Sequence, residues 1–163
     1  MVGESRPQMG RFRVRGQEGL TLTELVIVIA LVGVMASIAI PNIVDWLPRY
    51  RLREASRGLA FDMQLARMQS VSTNVQLGVS ITAAGYTLFK DLNSNGIYDA
   101  GDVVLKTQTF PSGISVSLNN FAGNTATFSP RGTSNGGAVT LTNTQGQTHS
   151  VNVLLSTGRV KLS

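Results

Sequence analysis

Between Leu25 and Val44 the chain runs for twenty residues without a charge, LVIVIALVGVMASIAIPNIV, and no other stretch constrains its fold as strongly. At about 1.5 Å per residue, a helix of that length matches the roughly 30 Å hydrocarbon core of a bilayer. The segment is expected to span a membrane. Arg11, Arg13 and Arg15 stand before it, and basic flanks stay on the cytoplasmic side, so the rest of the chain is expected beyond the membrane. An ordinary secretory signal also has a basic start and an apolar core. Three features oppose that alternative: the run exceeds the usual length of roughly 7 to 15 residues, no small-x-small cleavage site precedes Pro41, and Glu24 stands at its entrance.

A chain of 163 residues with 42% hydrophobic composition suits one globular domain of modest size plus an accessory element. The net charge of +5 is mild, and the first nineteen residues contribute part of it through Arg6, Arg11, Arg13 and Arg15 against Glu4 and Glu18. The basic pI therefore does not by itself argue for a nucleic-acid protein. The absence of cysteine excludes disulfides and thiolate metal sites, leaving packing to supply stability.

Gly19-Leu20-Thr21-Leu22-Thr23-Glu24, followed directly by the apolar run, resembles the class III signal of type IV prepilins. The resemblance implies cleavage between Gly19 and Leu20 by a prepilin peptidase, with methylation of the new N-terminus. Leu20 stands where that family more often has Phe and keeps its apolar character. A carboxylate drawn to the centre of a membrane helix costs up to about 3 kcal/mol, so it is worth keeping only if it gains a partner. The freed amino group, with an intrinsic pKa of roughly 7.7–8.0, is such a partner. Glu24 of one subunit is expected to pair with Leu20 of a neighbour, the alternative being an idle interfacial carboxylate. Pro41 lies where pilin-like helices commonly carry a proline, and is expected to remove one helical hydrogen bond.

After Pro48, Leu52, Ala55, Leu59, Met63 and Ala66 recur at spacings of three and four, the apolar stripe of an amphipathic helix expected to reach about Ser72. Arg49, Arg53 and Arg57 recur every four residues. Such a row asks for anionic lipid or a neighbour's acidic residues, or else forms a solvated face partly offset by Glu54 and Asp62. Beyond Ser72 come short alternating runs, from VQLGVSI at Val75 to RVKL at Arg159, eight in all, separated by turn-rich stretches. The fold class is therefore α+β: a long N-terminal helix, half transmembrane and half amphipathic, packed on antiparallel β-structure. With TFSPRGTSNGGAVTLTN (Thr127 to Asn143) and the terminal STGRVKLS, the chain resembles the GspH/FimT group of minor pilins and pseudopilins.

The stretch from Asp91 to Asp102 fits a twelve-residue calcium loop, with Asp91, Asn93, Asn95, the Ile97 carbonyl, Asp99 and Asp102 as ligands and Gly96 at the sharp turn. The same residues suit a hairpin whose side chains cap its own backbone amides. Any ion would be structural. Some members of the FimT-like group bind DNA through a C-terminal GRxR motif, and Gly158-Arg159-Val160-Lys161 resembles it with Lys in place of the second Arg. Lys161 keeps the charge but loses the bidentate fork. The alternative is a terminal strand with Arg159 and Lys161 facing solvent and Val160 and Leu162 inward. His149 is the only histidine, and neither a nucleophile elbow nor a phosphate loop is present, so no catalysis is expected.

The expected organisation is a removed leader over 1–19, a membrane or filament-core helix over 20–44, the amphipathic half over 45–72 and a β-rich domain over 73–163. By resemblance its partners are other pilins or pseudopilins, the prepilin peptidase, an inner-membrane assembly platform and lipid, with DNA as an alternative. No cofactor is required.

Overall fold

The computed structural model describes residues 19–163, and the side chains of residues 39–44 are outside that description. The basic leader expected over residues 1–18 lies outside the described residues. Helix α1 (Leu22–Thr73) is followed by β1 (Gln76–Ile81), β2 (Gly85–Asp91), β3 (Val103–Thr109), β4 (Ile114–Asn119), a 3-10 turn at Ala122–Asn124, β5 (Thr125–Phe128), β6 (Gly137–Asn143), β7 (Thr148–Val153) and β8 (Val160–Leu162). Each alternating run of the sequence has become a strand. The helix ends where Asn74 takes a left-handed conformation (φ 55°), a turn residue that tolerates it, and Thr73 returns its hydroxyl to the Gln69 carbonyl.

The strands form two antiparallel sheets rather than the one the alternation alone suggests, ordered β3-β2-β1-β5 and β4-β6-β7-β8. They join at the β5–β6 turn. There Asn135 brackets β5 by accepting from the Thr127 amide and donating to the Thr125 carbonyl, while the Ser134 amide donates to Leu155. Leu52, Ala55, Leu59, Met63 and Ala66 of α1 are all buried, in one core with Leu77, Val79 and Leu88 of the first sheet and Val139, Leu141 and Val151 of the second. The expected stripe is the packing face.

Asp62 departs from expectation. It does not offset the arginine row on a solvated face; it is 1% exposed, accepts from the Tyr86 hydroxyl at 2.5 Å, and pairs with Lys106 Nζ at 2.7 Å. At 100° per residue it shares the core side of α1 with Leu59 and Ala66, so helical periodicity was a usable signal for its burial. Burial, followed by the bond to Asp62 and that residue's charge, pushes the Tyr86 phenol far above its ordinary value of 10.0, so the ring stays a neutral donor. The triad ties α1 to both β2 and β3.

The outer face of the first sheet carries a second packing device. Gly78 faces Phe89 across the β1–β2 ladder, and the ring lies so close over it that a Cβ has no room. Tyr98, from the loop after β2, packs on Phe89 at a tilt of 52°, with ring centroids 5.2 Å apart. The loop thus covers a sheet face that would otherwise be apolar and open.

Urea unfolding tests the triad. Asp62→Ala strands the buried Tyr86 hydroxyl and is expected to cost about 1–3 kcal/mol. Lys106→Ala is expected to cost a comparable amount, about 3 kcal/mol, because it leaves a carboxylate that is 1% exposed with the phenol as its only donor. A larger loss for Lys106→Ala would mean that the ammonium, not the phenol, holds the carboxylate.

Candidate functional site

The N-terminal part of α1 has one polar feature. The Thr21 hydroxyl accepts from the Glu24 amide at 3.2 Å, and a Glu24 carboxylate oxygen accepts from the Thr21 amide at 3.2 Å and the Thr21 hydroxyl at 3.1 Å. This reciprocal arrangement is a capping box, satisfying amides that helix geometry leaves without partners. Sequence reasoning did not assign Glu24 this role, although Thr-x-x-Glu before an apolar run is its signature. The following turns expose apolar side chains in every direction, among them Leu25, Val26, Ile27, Val28, Leu31 and Val34. A helix apolar all round is stable in water only when something else covers it. Among the described residues, no helix is long and apolar enough to cross a membrane. The twenty-residue run continues into residues 39–44, where Pro41 lies within α1 with its side chain outside the described residues.

The Asp91–Asp102 loop closes on itself. Asp91, buried beneath it, accepts from the Asn95 and Gly96 amides and from the Gln76 side chain. Asp99 accepts from the Gly101 amide and from the amide groups of Asn93 and Asn95. Asp102 accepts from the Leu92 and Asp99 amides. The side-chain oxygens of Asn93 and Asn95 cap the Asn95 and Ile97 amides. Every carboxylate oxygen of the loop has a protein donor, which lets three carboxylates coexist. The Gly101 amide, then the Asn93 and Asn95 side chains, hold the Asp99 carboxyl below its usual 3.8. Among the described residues no three His, Asp or Glu side chains are placed to share a metal ion. The loop has the spacing of a calcium site and caps its own amides with the same oxygens, with the Asn93 and Asn95 side-chain amides held on Asp99.

At the C-terminus Arg159 and Lys161 are exposed on either side of buried Val160, and Leu162 packs against the core. Lys161 pairs with Asn152 across the β7–β8 ladder. Gly158 is buried at φ +58°, and a Cβ there would lie 2.6 Å from the Gly132 carbonyl and 3.1 Å from Arg67 Cδ. Arg67 Nε donates to the same Gly132 carbonyl at 3.1 Å. The contact places the Arg67 side chain against Gly132 and Gly158, the chain neighbours of Arg131 and Arg159. The one ion pair among the described residues is Lys106 with Asp62, so none of these arginines has a carboxylate partner there. Arg67, on the helix flank, was not a candidate by sequence.

A long helix on antiparallel β-structure is the architecture of pilin-like subunits. The type IV minor pilin FimU of Pseudomonas aeruginosa shares the fold with a TM-score of 0.55 at 18% identity, over 71% of this chain and 90% of that one. EpsH, the minor pseudopilin of the Vibrio cholerae type 2 secretion system, does so with a TM-score of 0.53 at 12% identity, over 69% and 96%. Residues 55–158, more than half the chain, match the family described as type II transport protein GspH, and the chain belongs to that family. The pilin-like protein PilA1 of Thermus thermophilus is 36% identical over 89 residues, 53% of this chain and 56% of PilA1. The fimbrial protein of Moraxella nonliquefaciens is 40% identical over 65 residues, 40% of this chain and 39% of that protein. The chain thus spans about half or less of the length of these relatives.

Stripping divalent ions with a chelator is expected to leave the thermal midpoint unchanged, and adding calcium to leave it unmoved. Asp99 supplies its stabilisation above its unfolded value near 3.8, and this is lost as pH falls through the lower folded value. Hydrogen exchange at the Gly101 amide should therefore quicken only below about pH 4. A midpoint that rises with calcium would show that the loop reorganises around the ion.

Proposed function

We propose that the chain is a minor pilin or pseudopilin precursor of a bacterial type IV pilus or type II secretion system. Prepilin peptidase cuts it between Gly19 and Leu20 and methylates Leu20. The subunit waits in the inner membrane and is then drawn by an assembly platform into a filament, where it primes assembly or sits at the tip. Its work is assembly rather than catalysis, and it needs no cofactor. The observation that carries this reading is the helix apolar all round, entered through Glu24, in a chain of the GspH family. Lipid covers the apolar helix before assembly, and other pilins cover it afterwards.

Glu24 has two separable duties on this reading. Within one chain it caps its own helix, and in the filament its charge answers the amino group of a neighbouring Leu20. Glutamine serves a capping box as well as glutamate but carries no charge. Glu24→Gln should therefore keep the helix and its processing while assembly falls. Intact-mass spectrometry of the native protein should find a chain beginning at Leu20 with one added methyl. Retention of residues 1 to 19, with normal behaviour of Glu24→Gln, would instead describe an ordinary membrane-anchored β-domain.

One observation favours a second reading, a DNA-binding subunit of an uptake pilus: Arg67 lies against Gly132 and Gly158, beside the exposed Arg131 and Arg159 in the chain. The exposed Arg131, Arg159 and Lys161 then supply the phosphate contacts. On this reading Arg159→Ala lowers affinity for duplex DNA of any sequence, and the slope of log affinity against log salt falls by about 1. Binding that is absent in the parent at about 50 mM salt leaves the first reading alone.

A further inference from the structure

Just beyond the apolar run the chain gathers four arginines, Arg49, Arg51, Arg53 and Arg57, against Asp45 and Glu54. Basic residues are ordinarily kept on the cytoplasmic side of a membrane segment, so a cluster on the exported side calls for an anionic partner. Trp46 stacks on Tyr50 with ring centroids 5.0 Å apart, and both are exposed. They follow the end of the run at Val44 by two and six residues, within about 10 Å along a helix. Trp and Tyr are enriched at that depth, in the headgroup layer, where an apolar ring with a polar edge is at home.

Two turns of the β-domain reach the same level of α1. Between β3 and β4, Ser112 accepts from Arg51 Nη1 through its carbonyl at 3.1 Å and its hydroxyl at 3.0 Å. Between β6 and β7, the Gln145 side chain donates to the Asp45 carbonyl at 3.4 Å. The turns meet at Gly113, where φ is +85° and a Cβ would lie 3.2 Å from Thr144 Cγ2. Pro48, Arg51, Ser112, Gly113, Ile114 and Thr144 line a pocket of about 150 Å³.

The chemistry of this pocket is that of a phosphate seat. Ser112 engages Arg51 Nη1 and fixes the plane of the guanidinium, while Nε and Nη2 keep donors for a ligand. That edge of the fork matches two oxygens of one phosphate. Among the described residues the one ion pair is Lys106 with Asp62, so no carboxylate competes for Arg51 there. Ser112 and Thr144 stand exposed at the rim, and neither turn contains an acidic residue.

We propose that this pocket holds the phosphate of an anionic phospholipid in the exported leaflet, with Arg49 and Arg53 drawing such lipids towards it. The inference rests on the reading that the subunit waits in the membrane, and adds the class of lipid that steadies its β-domain there. One copy suffices for the contact, as suits a subunit that primes a filament or sits at its tip. Leaving the bilayer then means releasing that lipid.

Hydrogen exchange tests this on the full-length protein in phosphatidylcholine nanodiscs, with and without phosphatidylglycerol. Exchange at the amides of residues 112–114 and 144–146 is expected to slow several-fold when phosphatidylglycerol is present, and Arg51→Gln to abolish the slowing. The quantity read is the ratio between the two discs, which a purely structural bond from Arg51 to Ser112 would not move. Exchange in β1 should match in every sample. If Arg51→Gln also unsettles β1, Thr144→Asp makes the same test by setting a charge of the ligand's sign at the rim. Equal rates in the two discs would overturn the proposal. Slowing that survives Arg51→Gln but is lost when Arg49→Gln and Arg53→Gln are combined would overturn it in favour of a diffuse basic face. Equal slowing by inorganic phosphate in discs of phosphatidylcholine alone would overturn it in favour of a free-anion site. The membrane reading fails separately, if the chain does not enter the discs at all.

Discussion

The β-domain depends on one stripe of α1, from Leu52 through Leu59 and Met63 to Ala66, being covered by both sheets at once. Each fully buried Leu or Met there contributes about 1.5–3 kcal/mol relative to exposure. With no disulfide and few ion pairs, no other term of comparable size orders eight short strands around one helix. Asp62 interrupts this apolar seam, and Tyr86 and Lys106 offset the cost of burying it. A buried carboxylate with two donors fixed on different strands accepts one docking of helix on sheet, whereas methyl groups tolerate several.

The N-terminal part of α1 stands under the opposite constraint. It has apolar side chains on every face and one capping box at its start, so its own backbone is satisfied while its surface is not. Such a segment is made for an environment that other molecules supply. On the proposed reading that environment is lipid first and other pilins afterwards. The capping box satisfies the first amides of that helix from within the chain.

Much of this was legible in the residues. The core stripe follows from spacings of three and four, the eight strands from alternation bounded by turn residues, and the terminal strand from Val160 and Leu162 alternating with Arg159 and Lys161. The calcium spacing was legible too, and so was the self-capping of the loop's amides, because both use oxygens on alternate residues of a tight turn. Asp62 was misjudged because its charge outweighed its position on the helical wheel.

Local composition by itself determined that an apolar helix is followed by an amphipathic one and then by antiparallel β-structure, because hydrophobic period is a property of neighbours in sequence. Tertiary structure alone decided which strands share a sheet, that Tyr98 covers Phe89, and that Arg67 meets the glycines beside Arg131 and Arg159. Those outcomes join residues dozens of positions apart, and each depends on how the whole core closes rather than on any local preference.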